Sequence, residues 1–366
     1  MLLTALTCAL LAVLLSAACT LYALLVDRRR RLPTSQSADS PFDVIVVGAG
    51  SAGCALAARL AERGLRTLLL EAGAPDTGPF GSAFFKVPLA ALGFQATPHH
   101  WGYETESEPE LTMRGSHWGV GVGAEASGRP LIQCRGKVIG GSSSLNLCNY
   151  VRGHPADFEE WGRLGLTGWS WRELLLCFRR FERFHGAPPP EDALAPAADR
   201  GAAPWLDVAR VGSPHRLARE FVAAARRWLA ARGGDDAATP THLLEAPSEG
   251  AGLHWVTITR GQRCSNAAAL RSRGAAKAAA AGNLVVRTGV HVLRVELEDQ
   301  EGAPPRAVGA LAATTRAAAS CGTRRSARSC SARVRSTRLI CCYSPASATR
   351  CSCRRRACDC ARRRRE

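Results

Sequence analysis

The pattern of apolar and polar residues predicts a strand, a helix and a second strand between residues 42 and 71. Residues 42–47 (FDVIVV) and 66–70 (RTLLL) are apolar runs of the kind found in parallel strands buried on both faces. Between them, residues 51–63 carry apolar side chains at helical spacing, and Gly64 favours a helix end there. This order indicates an α/β fold with a parallel sheet.

The first 41 residues have a different character. Residues 1–26 contain no charged side chain and are followed by Asp27 and the run Arg28–Arg31. This apolar run exceeds the roughly 20 residues that cross a bilayer, and the positive charge that follows it predicts a transmembrane anchor with the body of the protein in the cytosol. A cleaved signal peptide leading to the secretory pathway and a soluble core helix remain alternatives. Residues 27–41 are predicted to form a linker.

The turn after the first strand fits the pattern G-x-G-x-x-G at Gly48, Gly50 and Gly53. Such glycines allow a tight turn, a close approach of the backbone to a pyrophosphate, and close packing of helix on strand. Ser51 and Ala52 begin the helix, whose N–H groups point at the phosphates. Glu71 ends the second strand and is placed to hold a ribose hydroxyl, which disfavours NADP. The unit predicts a dinucleotide site and leaves FAD and NAD open.

A second polar stretch lies between Cys134 and Trp161. Its loop Gly140–Ser143 can place several backbone N–H groups against a ligand, and Asn146 adds a side-chain amide. Arg135 and Lys137 supply positive charge. Taken alone, these residues are more typical of a surface loop than of a ligand site.

As a whole, this stretch resembles the first signature of the glucose–methanol–choline (GMC) oxidoreductases. That signature reads R-G-K-x-x-G-G-S-S-x-x-N, followed by an aromatic residue, R-G and D-[FY]-x-x-W. The matching residues are Arg135, Gly136, Lys137, Gly140, Gly141, Ser142, Ser143, Asn146, Tyr150, Arg152, Gly153, Asp157, Phe158 and Trp161. Residues 100–106 (HWGYETE), 168–184 and 282–292 look like further parts of the family, most like its metazoan glucose and choline dehydrogenases.

The resemblance implies FAD as the cofactor and a Rossmann-like FAD-binding domain over residues 42–160. It also implies an incomplete α+β substrate domain with an antiparallel sheet, which starts within residues 161–281, and a hairpin over 282–310 that returns to the FAD domain. The cofactor-binding residues that it implies here are Arg135, Val138, Gly141, Ser142, Asn146, Leu147 and Cys148. It places residues 140–148 along the flavin and Val292 at the adenine.

Members of this family oxidise an alcohol by passing a hydride from the carbinol carbon to flavin N5, and a histidine late in the chain takes the hydroxyl proton. This chain has no histidine after His291, so no catalytic residue is assigned. Cysteines outside the last 53 residues are scattered, which argues against a metal site. The substrate alcohol and the electron acceptor cannot be read from the sequence.

The last part of the chain has an unusual composition. Residues 314–366 hold 15 Arg, 8 Cys, no Lys and two acids, and so carry most of the net charge of +17. Because the charge is concentrated there, the high pI does not predict a nucleic-acid partner. We predict a disordered basic tail over 311–366, and its alternatives are a basic arm, a cysteine-rich metal module or translation in a shifted frame.

The shifted-frame interpretation is favoured, because codons allowed for residues 330–349 can be reread as G-A-F-D-S-P-H-L-L-L-L-S-G-I-G, the second GMC signature. On that interpretation, the catalytic half of an FAD-dependent enzyme acting on CH–OH groups is missing and the chain has no activity. The alternative is a non-catalytic, membrane-anchored FAD-binding protein with a basic tail.

Overall fold

A computed structural model describes residues 42–76, 81–106, 112–113, 126–127, 132–186, 204–232, 250–271, 274–314 and 329–341. The predictions for residues 1–26 and 27–41 lie outside these ranges. Within them, no helix is both long and apolar enough to cross a membrane.

The described residues form short helices and strands. The helices are α1 (Ser51–Glu62), α2 (Gly81–Lys86), α3 (Pro155–Arg163), α4 (Trp171–Phe181), α5 (Arg216–Ala230), α6 (Asn266–Arg271) and α7 (Gly274–Ala280), with 3-10 turns at Pro88–Ala96 and Gly141–Ser144. The strands are β1 (Phe42–Val47), β2 (Thr67–Leu70), β3 (Tyr103–Glu104), β4 (Thr112–Met113), β5 (Ala126–Ser127), β6 (Ile132–Gln133), β7 (Asn149–Tyr150), β8 (Glu182–His185), β9 (Leu206–Arg210), β10 (Trp255–Val256), β11 (Ile258–Thr259), β12 (Gln262–Arg263), β13 (Leu284–Arg287), β14 (Val290–Gln300), β15 (Ala303–Thr314) and β16 (Ser329–Cys341).

The main sheet has the strand order β13-β2-β1-β16-β15-β14. Strands β13, β2, β1 and β16 run parallel, while β14, β15 and β16 pair antiparallel. The predicted strand–helix–strand unit is therefore present, with α1 connecting β1 to β2. Because the strands are parallel, the carboxyl ends of β1, β2 and β13 meet at one edge of the sheet.

Alternating side chains on these strands build the core on both faces of the sheet. On one face, Val44, Val46 and Leu69 pack against α1, α6 and α7. These helices contribute mainly alanines, such as Ala57, Ala58 and Ala278, so they approach the sheet closely. Helices α6 and α7 thus pack in the nucleotide-binding layer. The opposite face carries a smaller cluster formed by Phe42, Ile45, Leu68, Leu70, Val285, Val290, Ala310 and Ala312.

A second sheet has the order β7-β10-β9-β8. Its β7–β10 and β10–β9 pairs are antiparallel, but β8 and β9 run parallel, so the expectation of a purely antiparallel sheet is wrong here. The chain from His185 to Leu206 is long enough for the crossover that a parallel pair requires. Arg152, two residues after β7, forms a buried ion pair with Glu182 at the start of β8. The hydroxyl of Tyr150 in β7 also donates a hydrogen bond to Glu182.

The disordered tail predicted for residues 311–366 is wrong in two places. Strand β15 continues to Thr314, and residues 329–341 form β16 between β1 and β15. Composition reflects side chains only, whereas a strand pairs through its backbone. Residues 332–340 (ARVRSTRLI) include β-branched residues that favour extended backbone. Residues 342–366 lie outside the described ranges.

Gly73 allows two segments of the nucleotide-binding layer to touch. It follows β2, and the neighbouring Ala74 bridges Val138. A Cβ at position 73 would lie 1.9 Å from the carbonyl oxygen of Lys137. Any side chain there must therefore push the two backbones apart.

We expect Gly73→Ala to lower the free energy of unfolding by about 1–3 kcal/mol, because overpacking against backbone cannot be relieved by a rotamer change. Gly93→Ala is the matched control, since a Cβ at Gly93 meets no atom within 4 Å. Urea denaturation of both variants measures the difference. Equal midpoints for the two variants would contradict the close approach.

Candidate functional site

The first glycine-rich loop leads from β1 into α1. Gly48 has a φ of +92°, a conformation that side chains disfavour, and its N–H donates to the carbonyl of Leu70. A Cβ at Gly50 would meet no atom within 4 Å. Helix α1 has no side-chain cap and no acid in its first turn, so its first N–H groups and its positive dipole end are left for a ligand.

Glu71 fastens this loop to the end of β2. Its two carboxylate oxygens accept hydrogen bonds of 2.8 Å from the N–H groups of Ala49 and Gly73. Burial raises the pKa of Glu71, although these two N–H groups and the charge of Lys137 oppose the rise. Each carboxylate oxygen keeps a second lone pair, so Glu71 can still accept a hydrogen bond from a ligand hydroxyl.

The second glycine-rich loop packs directly on the first. Gly140 has a φ of +87°, and its N–H donates to the carbonyl of Ala49 over 2.7 Å. Gly141 has a φ of +55°, and a Cβ there would lie 2.8 Å from the Cα of Gly50. The two loops therefore meet backbone to backbone, which explains why both are rich in glycine.

The loops enclose one side of a cavity of about 570 Å³ at the carboxyl end of the parallel strands. Ten of the predicted cofactor residues border it: Gly48, Gly50, Ser51, Ala52, Gly53, Glu71, Arg135, Gly141, Ser142 and Val292. Such a position, where a parallel sheet ends at a glycine-rich turn, is where α/β proteins bind dinucleotides.

Four predicted cofactor residues lie elsewhere. Val138 is fully buried against Phe85 and Phe94, so it supports the loop from behind. Cys148 is also buried, and burial raises the pKa of its thiol. Leu147 is 53% exposed and borders neither described cavity. Asn146 borders a second cavity.

Sequence reasoning missed an aromatic wall on the first cavity. Trp101 and Tyr103 stack with their ring centres 5.8 Å apart, and the rings of Trp101 and His291 make a T-shaped contact. The Lys137 ammonium lies 4.8 Å from the centre of the Trp101 ring. Burial, aided by Lys137, lowers the pKa of His291 and favours its neutral form. The stretch 100–106 (HWGYETE), which resembles part of the family, was the available signal.

The second cavity, of about 280 Å³, adjoins the first at the start of α1, because Ser51 and Ala52 border both. Asn146 and Ser143 lie on one wall, and residues of the second sheet lie on another. Behind Asn146 lies Arg263, a buried residue that no motif had indicated.

A family model described as GMC oxidoreductase matches residues 42–339. The chain belongs to this family. The matched region includes the paired glycine-rich loops, the second sheet and most of β16.

Curated relatives agree with this assignment. The chain is 37% identical over 227 residues to an oxygen-dependent choline dehydrogenase of Rhizobium etli, an alignment that covers 62% of this chain and 35% of that protein. A Rhizobium rhizogenes protein of the same name is 41% identical over 146 residues, which cover 39% of this chain and 23% of the relative. The chain thus spans about a third or less of the length of these relatives.

Solved structures of the same fold are also found. Pyridoxine 4-oxidase from Mesorbium loti superposes with a TM-score of 0.59 and 27% identity over 82% of this chain and 49% of the other. A formate oxidase superposes with a TM-score of 0.57 over 82% of this chain and 45% of the other, and at 22% identity it shows the fold alone.

FAD is the cofactor of this family, and the first cavity has the features that FAD requires. The uncapped α1 N-terminus and the open side of Gly50 suit a pyrophosphate. Arg135 adds positive charge, and Glu71 offers an acceptor for a ribose hydroxyl. These residues would hold the cofactor at its phosphate and ribose groups.

We expect Glu71→Gln to weaken FAD binding at least tenfold and to lower the free energy of unfolding by about 1–3 kcal/mol. A glutamine has one side-chain carbonyl, so the N–H of Ala49 or of Gly73 loses its acceptor. Titration of flavin fluorescence and urea denaturation measure the two effects.

Glu62→Gln is the matched control, because Glu62 ends α1 and pairs with the partly exposed Arg59 at the surface. It should change neither quantity measurably. An unchanged FAD affinity in Glu71→Gln would show that Glu71 does not organise the site.

Proposed function

We propose that this chain carries the cofactor site of an FAD-dependent oxidoreductase acting on CH–OH groups. The observation that carries the proposal is the meeting of the two glycine-rich loops, which with Glu71 form a single dinucleotide cavity. The relatives support it, since the names choline dehydrogenase and pyridoxine 4-oxidase describe oxidations of molecules that bear an alcohol.

FAD, when bound, would supply the acceptor for the hydride of the alcohol. The chain's own residues would bind and orient it. The first N–H groups of α1 and Arg135 would hold the pyrophosphate, Glu71 the ribose, and Val292 and the Trp101 wall would border the same cavity. The interlocked loops keep these groups in fixed relative positions, which is what orientation of a cofactor requires.

We infer that the described residues bind FAD without turning over alcohol. Oxidation needs a base that takes the hydroxyl proton, and a histidine suits this task at neutral pH. Among the described residues, no histidine borders the second cavity. His291, which borders the first, belongs to the aromatic wall.

Attachment to a membrane through residues 1–26 stays a prediction from their apolar sequence. A non-catalytic FAD-binding protein anchored by that segment is therefore the second candidate function. The two candidate functions differ in one respect. Under the second, no longer form of the protein would oxidise an alcohol either.

The test uses the full chain purified in the presence of FAD. We expect bound flavin, seen as its visible absorbance after gel filtration, and no reduction of an artificial dye with choline or glucose as the donor. Gly141→Ala should abolish flavin binding, because the new Cβ meets the Cα of Gly50, whereas Gly93→Ala should retain it.

The outcomes separate the parts of the proposal. Binding of NAD in preference to FAD would overturn the cofactor assignment. Dye reduction that depends on the alcohol would overturn the inference that the described residues lack a base. Flavin binding by Gly141→Ala as strong as by the unaltered chain would show that the two loops do not form the site.

A further inference from the structure

Arg263 is a buried cation that does not border the first cavity. It ends β12, in the short hairpin formed by β11 and β12, and its residue surface is only 3% exposed. Burying a guanidinium is costly unless its donors are satisfied, so such a residue calls for a physical account.

All the hydrogen bonds of Arg263 among the described residues go to oxygens of neutral groups. Its Nη1 donates to the carbonyl oxygen of Asn146 over 2.5 Å, to the side-chain Oδ1 of Asn146 over 2.7 Å, and weakly to the carbonyl of Ser143 over 3.4 Å. Its Nε and Nη2 donate to the carbonyls of Phe85 and Pro88. The side chain thus joins the second glycine-rich loop to α2 and the 3-10 turn that follows.

No carboxylate neutralises this charge among the described residues. Cys148 lies close enough to interact with Arg263 electrostatically, but burial raises the pKa of its thiol, so that it stays neutral at pH 7. Burial also lowers the pKa of Arg263, yet a guanidinium remains charged in proteins. Its positive charge therefore acts electrostatically on any ligand group that lies on the other side of Asn146.

The second cavity lies on that side. Asn146 and Ser143, whose oxygens Arg263 binds, both border it, and no acidic residue does so among the described residues. Arg263 and the N–H of Cys148 together hold Oδ1 of Asn146, which leaves the Nδ2 amide to donate to a ligand. Because the two cavities adjoin at Ser51 and Ala52, a dinucleotide that starts in the first and passes these residues enters the second.

We propose that Arg263 is a positioning residue that fixes Asn146 and holds an uncompensated positive charge beside the second cavity, so that an FAD reaching into it is reduced more easily. Two electrons and one proton, supplied by a reductant, convert the neutral oxidised ring into a reduced ring with one negative charge. A fixed positive charge in a low-dielectric site favours the charged product. The proposal rests on the FAD assignment and not on the identity of the alcohol.

The experiment measures the midpoint potential of the bound flavin in the full chain. Enzymatic reduction against a reference dye needs no alcohol substrate, so its result is independent of the proposed turnover. Three variants are compared: Arg263→Met removes the charge, Arg263→Lys keeps the charge but not the planar fork, and Arg260→Met removes an exposed charge from the same hairpin. The FAD dissociation constant and the unfolding midpoint of each apoprotein are recorded alongside.

We expect Arg263→Met to weaken binding of reduced relative to oxidised flavin about tenfold, which is a fall of about 30 mV for a two-electron couple. Arg263→Lys should bind FAD more weakly but keep the potential within a third of that shift, because the charge remains. Arg260→Met should match the unaltered chain in all three measurements.

A potential that stays unchanged in Arg263→Met while FAD affinity and stability fall would overturn the proposal and leave Arg263 a purely structural residue. The same holds if Arg263→Lys shifts the potential as far as Arg263→Met. Should Arg263→Met fail to fold, Arg263→Gln, which removes the charge but keeps a side-chain donor, takes its place: a fall of about 30 mV supports the proposal, and an unchanged potential overturns it.

Discussion

The peptide groups of Ala49 tie together three separate parts of the chain. Its N–H donates to Glu71 at the end of β2, and its carbonyl accepts from the N–H of Gly140 and from the thiol of Cys54. Ala49 is fully buried, so each of these bonds is made away from water. A buried group that loses its partner costs about 1–3 kcal/mol, which makes this junction sensitive to change at any of its members.

This junction explains why the cofactor site is made of two motifs that lie 92 residues apart, from Gly48 to Gly140. Both loops depend on glycines with positive φ, a backbone conformation that side chains disfavour. Hydrogen bonds to Ala49 and the contact between Gly50 and Gly141 fix the shape of each against the other. Helix α1 then presents its N-terminus at one place, shared by the two cavities.

Local pattern was sufficient to predict the first glycine-rich loop and Glu71, whereas the Gly140 loop was indicated only by its resemblance to the GMC signature. Continuous apolar runs indicated β1 and β2, and the glycine spacing with Glu71 indicated a dinucleotide site, because these features depend on neighbours in sequence. The roles of Arg263 and of the Trp101 wall could not be predicted in this way. Arg263 acts on Asn146, 117 residues earlier, and neither its position nor its neighbours in sequence form a pattern that distinguishes a buried arginine from an exposed one. Composition likewise predicted disorder for residues 329–341. These residues form a strand because their backbone pairs with β1 and β15, and side-chain composition does not indicate such pairing.

The two glycine-rich loops form one rigid unit through Ala49. Amide hydrogen exchange of the full chain tests it most directly, by following the N–H groups of Ala49 and Gly140 in the presence and absence of FAD. We predict that both amides exchange as slowly as those of β1, because both are bonded in the buried junction, and that FAD slows the N–H groups at the start of α1 instead. Exchange of Ala49 and Gly140 at the rate of exposed loop amides without FAD would show that the cofactor assembles the site, and would contradict the claim.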